Sequence, residues 1–177
     1  MNIRPATLTD APALAELGAV TFAETFGHLY SPENLAAHLA RAHSEAEHAR
    51  VLQDEGMGVW LALDDAGRAV AFAVAGRCKL PVPDLEPNAG ELKQIYVRAS
   101  HQNLYLGSQL MRAALAWLEA RYSPLYIGVW SQNTGAQKLY GRYGFEKAGE
   151  YRFCVGDHYD HEFILKRPAS WRAPAGS

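Results

Sequence analysis

Cysteine is scarce in this 177-residue chain: there are two, Cys78 and Cys154, far apart and outside any Cys-x-x-Cys or Cys/His cluster. That spacing argues against a disulfide-built scaffold and a cysteine-based zinc site; the two could still pair, but thiols set among apolar residues read first as buried and reduced. Long apolar runs are missing as well. The longest, residues 59–63 and 69–75, fall far short of the ~18 residues that suggest a membrane helix. The opening MNIRPATLTD has no basic stretch followed by an apolar run, so no secretory signal is expected and the chain reads as cytoplasmic, without a membrane partner. Neither sign of charge is in excess: 17 Lys and Arg face 19 Asp and Glu, a formal net charge of −2. A nucleic-acid binder would be more basic. No internal repeat is visible. What remains is 49% hydrophobic and 20% charged, the balance of an ordinary globular chain long enough for one domain. That domain is placed at residues 1–166, with a frayed Pro/Ala-rich tail over 167–177.

The pattern along the chain predicts an α/β (α+β) fold. Residues 1–6 are extended, with Pro5 unsuited to a central strand. Asp10 reads as a helix N-cap with Pro12 in the first turn, and Leu14, Leu17, Val20 and Thr21 follow helical spacing. Glu24 lies on that stripe or its rim, where a charge is costly without a task or partner. Ser31-Pro32 opens a second helix. Ser44-x-x-Glu47 is a capping-box pattern for a third, running to Leu52. Residues 59–64 and 69–79 read as a hairpin, 81–90 as a loop and 91–98 as a strand. Residues 106–121 form a helix with Leu106, Leu110, Ala114, Trp117 and Leu118 on one face. A strand at 125–130, a helix at 133–143 and strands at about 145–155 and 159–165 follow. Helices therefore flank a mixed sheet, and the unit from 91 to 130 is a crossover between parallel strands.

Two segments carry chemistry. Residues 97–107, VRASHQNLYLG, end a strand and start a helix, where free N–H groups and the helix dipole can hold an anion such as a pyrophosphate. No Walker lysine is present, and such junctions are common. Residues 130–145, WSQNTGAQKLYGRYGF, place Asn133 to cap a helix or reach a ligand. They put Tyr140 on the apolar side, either as a core aromatic or as a phenol able to protonate a departing thiolate.

The run ELKQIYV, then Gln102 through Gly107, then N-x-x-A-x-x-L-Y-x-x-Y-G-F from Asn133 to Phe145, resembles the GNAT superfamily of N-acetyltransferases. The opening IRPATLTDAPALAEL is similar to that family's, and the likeness spans about residues 3–166. LKQIYV, TFAETF around Glu24 and FCVGD are most similar to PaiA-like polyamine acetyltransferases. The resemblance implies a splayed central sheet and acetyl-CoA as cosubstrate. It implies that the amides of Asn103, Leu104, Tyr105, Leu106, Gly107 and Ser108 hold the pyrophosphate, with Gln102 beside them. The pantetheine arm would pair with backbone around Ile95, Tyr96 and Val97, as an extended amide chain can at an open strand edge. Tyr105 stands where glycine is usual, and Asn103 also replaces a frequent glycine, though Asn tolerates left-handed geometry.

An amine near neutral pH is mostly ammonium and must lose a proton before it attacks. By resemblance, Tyr140 is the general acid toward the thiolate and a backbone N–H near Ile95 to Val97 faces the developing oxyanion. Glu24 and Glu91 are both candidates for the base, and solvated or structural roles stand beside them. Strict alternation groups Glu91 with Lys93, Ile95 and Val97, and Gln94 with Leu92 and Tyr96. The histidines, including His158-x-x-His161, show no metal spacing and read as surface or loop residues. Asp157, Asp160 and Glu162 give the closing hairpin a negative character that could attract a cationic amine. The expected activity is acetyl transfer to a primary amine of a small molecule, polyamines first. A non-catalytic acyl-CoA-binding sensor and a domain binding some other phosphate ligand stay open. So does a homodimer, the commonest assembly of soluble proteins.

Overall fold

The computed structural model describes residues 1–171. Seven strands form one sheet in the order β1-β2-β3-β4-β5-β7-β6. They are β1 Asn2–Pro5, β2 Met57–Leu63, β3 Ala69–Arg77, β4 Gly90–Val97, β5 Leu125–Trp130, β6 Glu146–Val155 and β7 His158–Arg167. Helices α1 Ala11–Phe26, α2 Pro32–Ala42 and α3 Glu45–Gln53 come before β2. Helix α4 Leu106–Glu119 links β4 to β5, and α5 Thr134–Gly141 links β5 to β6.

Strands β2 and β3 are apolar almost throughout because both of their faces are covered. Val59, Leu61, Phe72 and Val74 pack on Leu14 and Leu17 of α1, with Val51 and Leu52 of α3 beside them. Trp60, Ala62, Ala71 and Ala73 pack on Leu110, Met111 and Ala114 of α4. The β2–β3 turn follows from its residues: the Asp64 carboxylate accepts from the N–H groups of Ala66 and Arg68, and Gly67 takes φ +77°.

Four local readings need correction. Asp10 stands at the N-cap position of α1, but its side chain makes no capping hydrogen bond to that helix, and a 3-10 turn over Leu8–Asp10 precedes it. The carboxylate reaches back instead to Thr7 N–H at 2.7 Å and takes both Arg4 nitrogens at 2.8 Å, which ties β1 to the helix start. The last strand runs on through Arg167, which is buried and ion-paired with Glu119 at 2.6 Å, past the end expected for that strand at 165; residues 172–177 of the expected tail lie outside the described residues. Cys78 is buried, but Cys154 is exposed.

The fourth correction concerns β4. Val74 of β3 faces Gln94 and Ala75 faces Leu92, so Lys93 is an extra residue, a β-bulge. The bulge breaks alternation. Leu92, Ile95 and Val97 share the α4 face, while Tyr96 packs on the α1 side. Leu92 is thus on the face opposite Tyr96, not beside it.

Every strand pair is antiparallel except β4–β5, which is parallel. These two pair only at Gly90↔Leu125, Glu91↔Tyr126 and Leu92↔Ile127. Beyond Leu92 they diverge, and the sheet opens as a V.

Candidate active site

A cavity of about 900 Å³ fills this opening, lined by Glu91 through Tyr96 on β4 and Ile127 through Trp130 on β5. The divergence leaves the inward-facing N–H and C=O groups of both strands without a strand partner, an arrangement suited to an extended amide-bearing ligand. Ile95 and Tyr96 line the cavity, and Val97 at the strand end packs on the α4 core.

The segment after β4 is built to leave donors free. Gln102 N–H bonds to the Ala99 carbonyl and Gln109 N–H to that of Tyr105; between them, no backbone N–H from Asn103 through Ser108 finds an acceptor among the described residues. Two left-handed residues, Asn103 at φ 64° and Tyr105 at φ 60°, shape this row. Left-handed backbone explains why glycine suits both positions. Tyr105 turns its ring outward, 79% exposed, and Leu104 is exposed as well. Leu106 is buried against the core as the first residue of α4. Gly107 has no crowding neighbour: an added methyl there would meet only Leu139, at 3.9 Å. The Gln102 side chain donates to the Val97 carbonyl at 3.5 Å and braces the loop.

Glu24 does not line the cavity. Its carboxylate accepts from Arg98 Nε at 3.1 Å and Ala99 N–H at 2.9 Å, pinning the start of the same loop to the end of α1. Glu91 sits at the apex of the V, buried, where it accepts from Lys79 N–H and Lys93 Nζ, both at 2.8 Å. Each carboxylate therefore already holds a cation and a backbone N–H.

On the α4/α5 face, Tyr140 packs in the core with Val129 and Leu165 and reaches the cavity wall, 6% exposed. No side chain among the described residues hydrogen-bonds its hydroxyl. Burial pushes its pKa above the ordinary tyrosine value, and the charge of Glu162 adds to that. Asn133 lines the cavity and caps α5, its side chain accepting from Ala136 N–H at 3.1 Å.

The opposite face holds what the sequence did not bring together. Phe26 of α1 spans the opening, its ring 6.5 Å from Tyr96 on β4 and 6.0 Å from Trp130 on β5. Glu162 lies across from Trp130 on one side and Tyr151 on the other. Tyr151 donates to its carboxylate at 2.6 Å. Burial pushes the Glu162 pKa up and nearby Asp160 adds to this, while the Tyr151 hydrogen bond works the other way. Tyr30 donates to Asp160, whose other oxygen lies 3.1 Å from His158 Nε2. His38 and His43 also line the cavity and, with His48, are buried rather than on the surface. In FCVGDHYDHEFIL only the acidic character was legible, because the cross-strand partners of β6 and β7 are set by register. Among the described residues, no group of three or more His, Cys, Asp or Glu is placed to hold a metal ion, and no helix is long and apolar enough to cross a membrane.

Comparison with known proteins agrees with this geometry. The chain is 32% identical over 164 residues to an uncharacterised N-acetyltransferase of Lactobacillus delbrueckii subsp. lactis, covering 89% of this chain and 91% of that protein. It is 27% identical to an uncharacterised N-acetyltransferase of Mycobacterium bovis, covering 90% and 98% of the two chains. The fold superposes on the PaiA N-acetyltransferase of Thermoplasma acidophilum in complex with coenzyme A with a TM-score of 0.73, at 18% identity and 94% and 98% coverage. It superposes on the ribosomal-protein-alanine N-acetyltransferase of Brucella melitensis with a TM-score of 0.66, at 21% identity and 95% and 99% coverage. The family model described as acetyltransferase (GNAT) matches residues 23–145. With the parted strands, the row of free amides and this match over most of its length, the chain belongs to the GNAT family of acetyltransferases.

Proposed function

We propose that the protein transfers the acetyl group of acetyl-CoA to a primary amine of a small cationic molecule, polyamines being the first class to test, with Tyr140 as general acid. Acetyl-CoA supplies the activated acetyl thioester. The residues present suit it. The free N–H groups from Asn103 to Ser108 match a pyrophosphate at a helix start, and the open edges of β4 and β5 match an amide-rich arm. The observation that carries the reading is the placement of Tyr140, a buried phenol at the wall of the opening with no side-chain partner among the described residues. Its raised pKa keeps it protonated across the physiological range, as a proton donor requires.

The preference for a polyamine rests on the aromatic walls of Phe26, Tyr96 and Trp130, which suit a cation on an apolar spacer, and on the likeness to the PaiA fold. Glu24 serves here as a positioning residue for the loop and Glu91 as a brace at the apex of the V. Tyr105, its ring turned to solvent, leaves the neighbouring amides open to a phosphate.

Thiol release across a panel of polyamines, amino acids, aminoglycosides and peptides tests the activity. The wild type is expected to turn over at least one cationic amine. Tyr140→Phe should lower kcat about 10²–10⁴-fold with CoA affinity, read by calorimetry, nearly unchanged. An unchanged kcat would remove Tyr140 from the chemistry. CoA binding without turnover of any amine would favour the sensor reading.

A further inference from the structure

We propose that Glu162 is the group that receives the acceptor's ammonium and takes its proton, held in place by Tyr151; this rests on the acetyl-transfer reading above. The argument begins with the sheet. Trp130, Glu162 and Tyr151 are directly opposite one another across β5, β7 and β6, so they share a face. Val129, one position along β5, and Leu165, three positions along β7, pack with Tyr140 on the other face. Acid and base thus approach the opening between β4 and β5 from opposite sides.

Three observations mark Glu162 as functional. It lines the cavity and has no cation partner among the described residues, unlike Glu24 and Glu91. Its one side-chain hydrogen bond, from Tyr151, leaves carboxylate lone pairs free toward the cavity. Finally, Tyr151 reaches it over a residue with no side chain: a methyl group on Gly128 would lie 2.7 Å from the Tyr151 hydroxyl. A half-buried carboxylate without a counter-ion, between aromatic walls, is an incomplete ion pair, and an alkylammonium completes it.

The proton ledger closes. Of the three ammonium protons, one passes to Glu162 and on to solvent. The nitrogen lone pair so released forms the N–C bond while the C–S bond breaks. A second proton, shed as that bond forms, replaces the one Tyr140 gives to the departing sulfur, and the third stays on the amide. The ionisable groups facing Glu162 are Tyr151 from β6, Tyr96 from β4, Tyr140 from α5, Tyr30 from the segment between α1 and α2 and, within its own strand, Asp160. Tyr30 adjoins through Asp160.

Glu162→Gln keeps the shape and the bond from Tyr151. Calorimetric titration of spermidine into the CoA-saturated protein should show at least a tenfold loss of affinity, with CoA affinity and the urea midpoint unchanged. With the best acceptor of the panel, kcat/KM should fall at least a hundredfold and lose its acid limb. Tyr151→Phe removes a hydrogen bond that favours the ionised carboxylate, so the acid limb should move to higher pH. Wild-type turnover with an undiminished rate and an unmoved acid limb in Glu162→Gln would falsify this assignment while leaving the acetyl-transfer reading intact. No wild-type turnover at all would instead remove that reading.

Discussion

Tyr105 carries a cost that a glycine would not. A left-handed backbone at a residue with a Cβ costs roughly 1–2 kcal/mol, and this side chain recovers little of it by packing, being 79% exposed. Tyr105→Gly should therefore raise stability by about 0.5–1 kcal/mol in urea unfolding, the relief being offset in part by the extra freedom of glycine in the unfolded chain. CoA affinity should change little, since the ring lies in solvent and the loop amides are left without acceptors among the described residues. A lower urea midpoint would show that the ring contributes more than its exposure indicates. The sequence located this loop correctly and named the departure from glycine, but it could not say which way the ring points. That depends on φ, and nothing in the neighbouring residue types sets φ at a position where tyrosine is rare.

At the scale of elements, periodicity served well where one face was buried and failed where a strand was irregular. The stripe of Leu106, Leu110, Ala114 and Leu118 gave α4 its buried face as expected. On β4 the same logic placed Leu92 with Tyr96, because an extra residue at Lys93 leaves no mark in a run such as ELKQIYV. The N-terminus of α1 shows a second kind of miss: Asp10 is a cap by type but an ion-pair residue by geometry. Asp10→Asn should cost about 2 kcal/mol near neutral pH, the value of a charge-assisted, bidentate contact. Chiefly the Arg4 hydrogen bonds hold the Asp10 pKa below the ordinary value. The stabilisation is therefore complete above the unfolded carboxylate range near pH 4 and is lost as acid carries the pH down toward the depressed folded value. Urea unfolding of wild type and variant between pH 7 and pH 2 should show their difference shrinking toward the acid end; a constant gap would place the contribution elsewhere.

Across the whole molecule, the least legible feature is the histidine column. His38 belongs to α2, His43 to the corner after it and His48 to α3, and only the α2–α3 turn brings them together, with centroids 6.2 and 5.8 Å apart. No helical spacing announces this, so the sequence read them as surface residues. All three are buried, and each has a ring nitrogen without a hydrogen-bond partner. Burial, then the neighbouring His48 and His38, lowers the His43 pKa to about 4. Stability from keeping the ring neutral is full above the unfolded value near 6.5 and is lost as pH falls from there toward about 4. The loss is on the order of 3 kcal/mol. His43→Phe should flatten the urea midpoint across that window, and a variant as acid-sensitive as wild type would shift the cause to its neighbours. The family and the order of its parts were readable over nearly the whole chain. The aromatic and acidic side of the cleft was not, because it is assembled from α1, α2 and two terminal strands whose register no local pattern fixes.

The short contact between β4 and β5 has a mechanical meaning. With only three paired positions holding these strands together, the sheet is two ribbons stapled near one end, tied beyond the staple by side-chain packing alone. A cosubstrate lying along both open edges would act as a suture, stiffening the far ends of the ribbons as well as bringing in its acetyl group. Loading would then also set the spacing between the two walls of the cleft, so that empty and loaded protein would differ in the width of that opening.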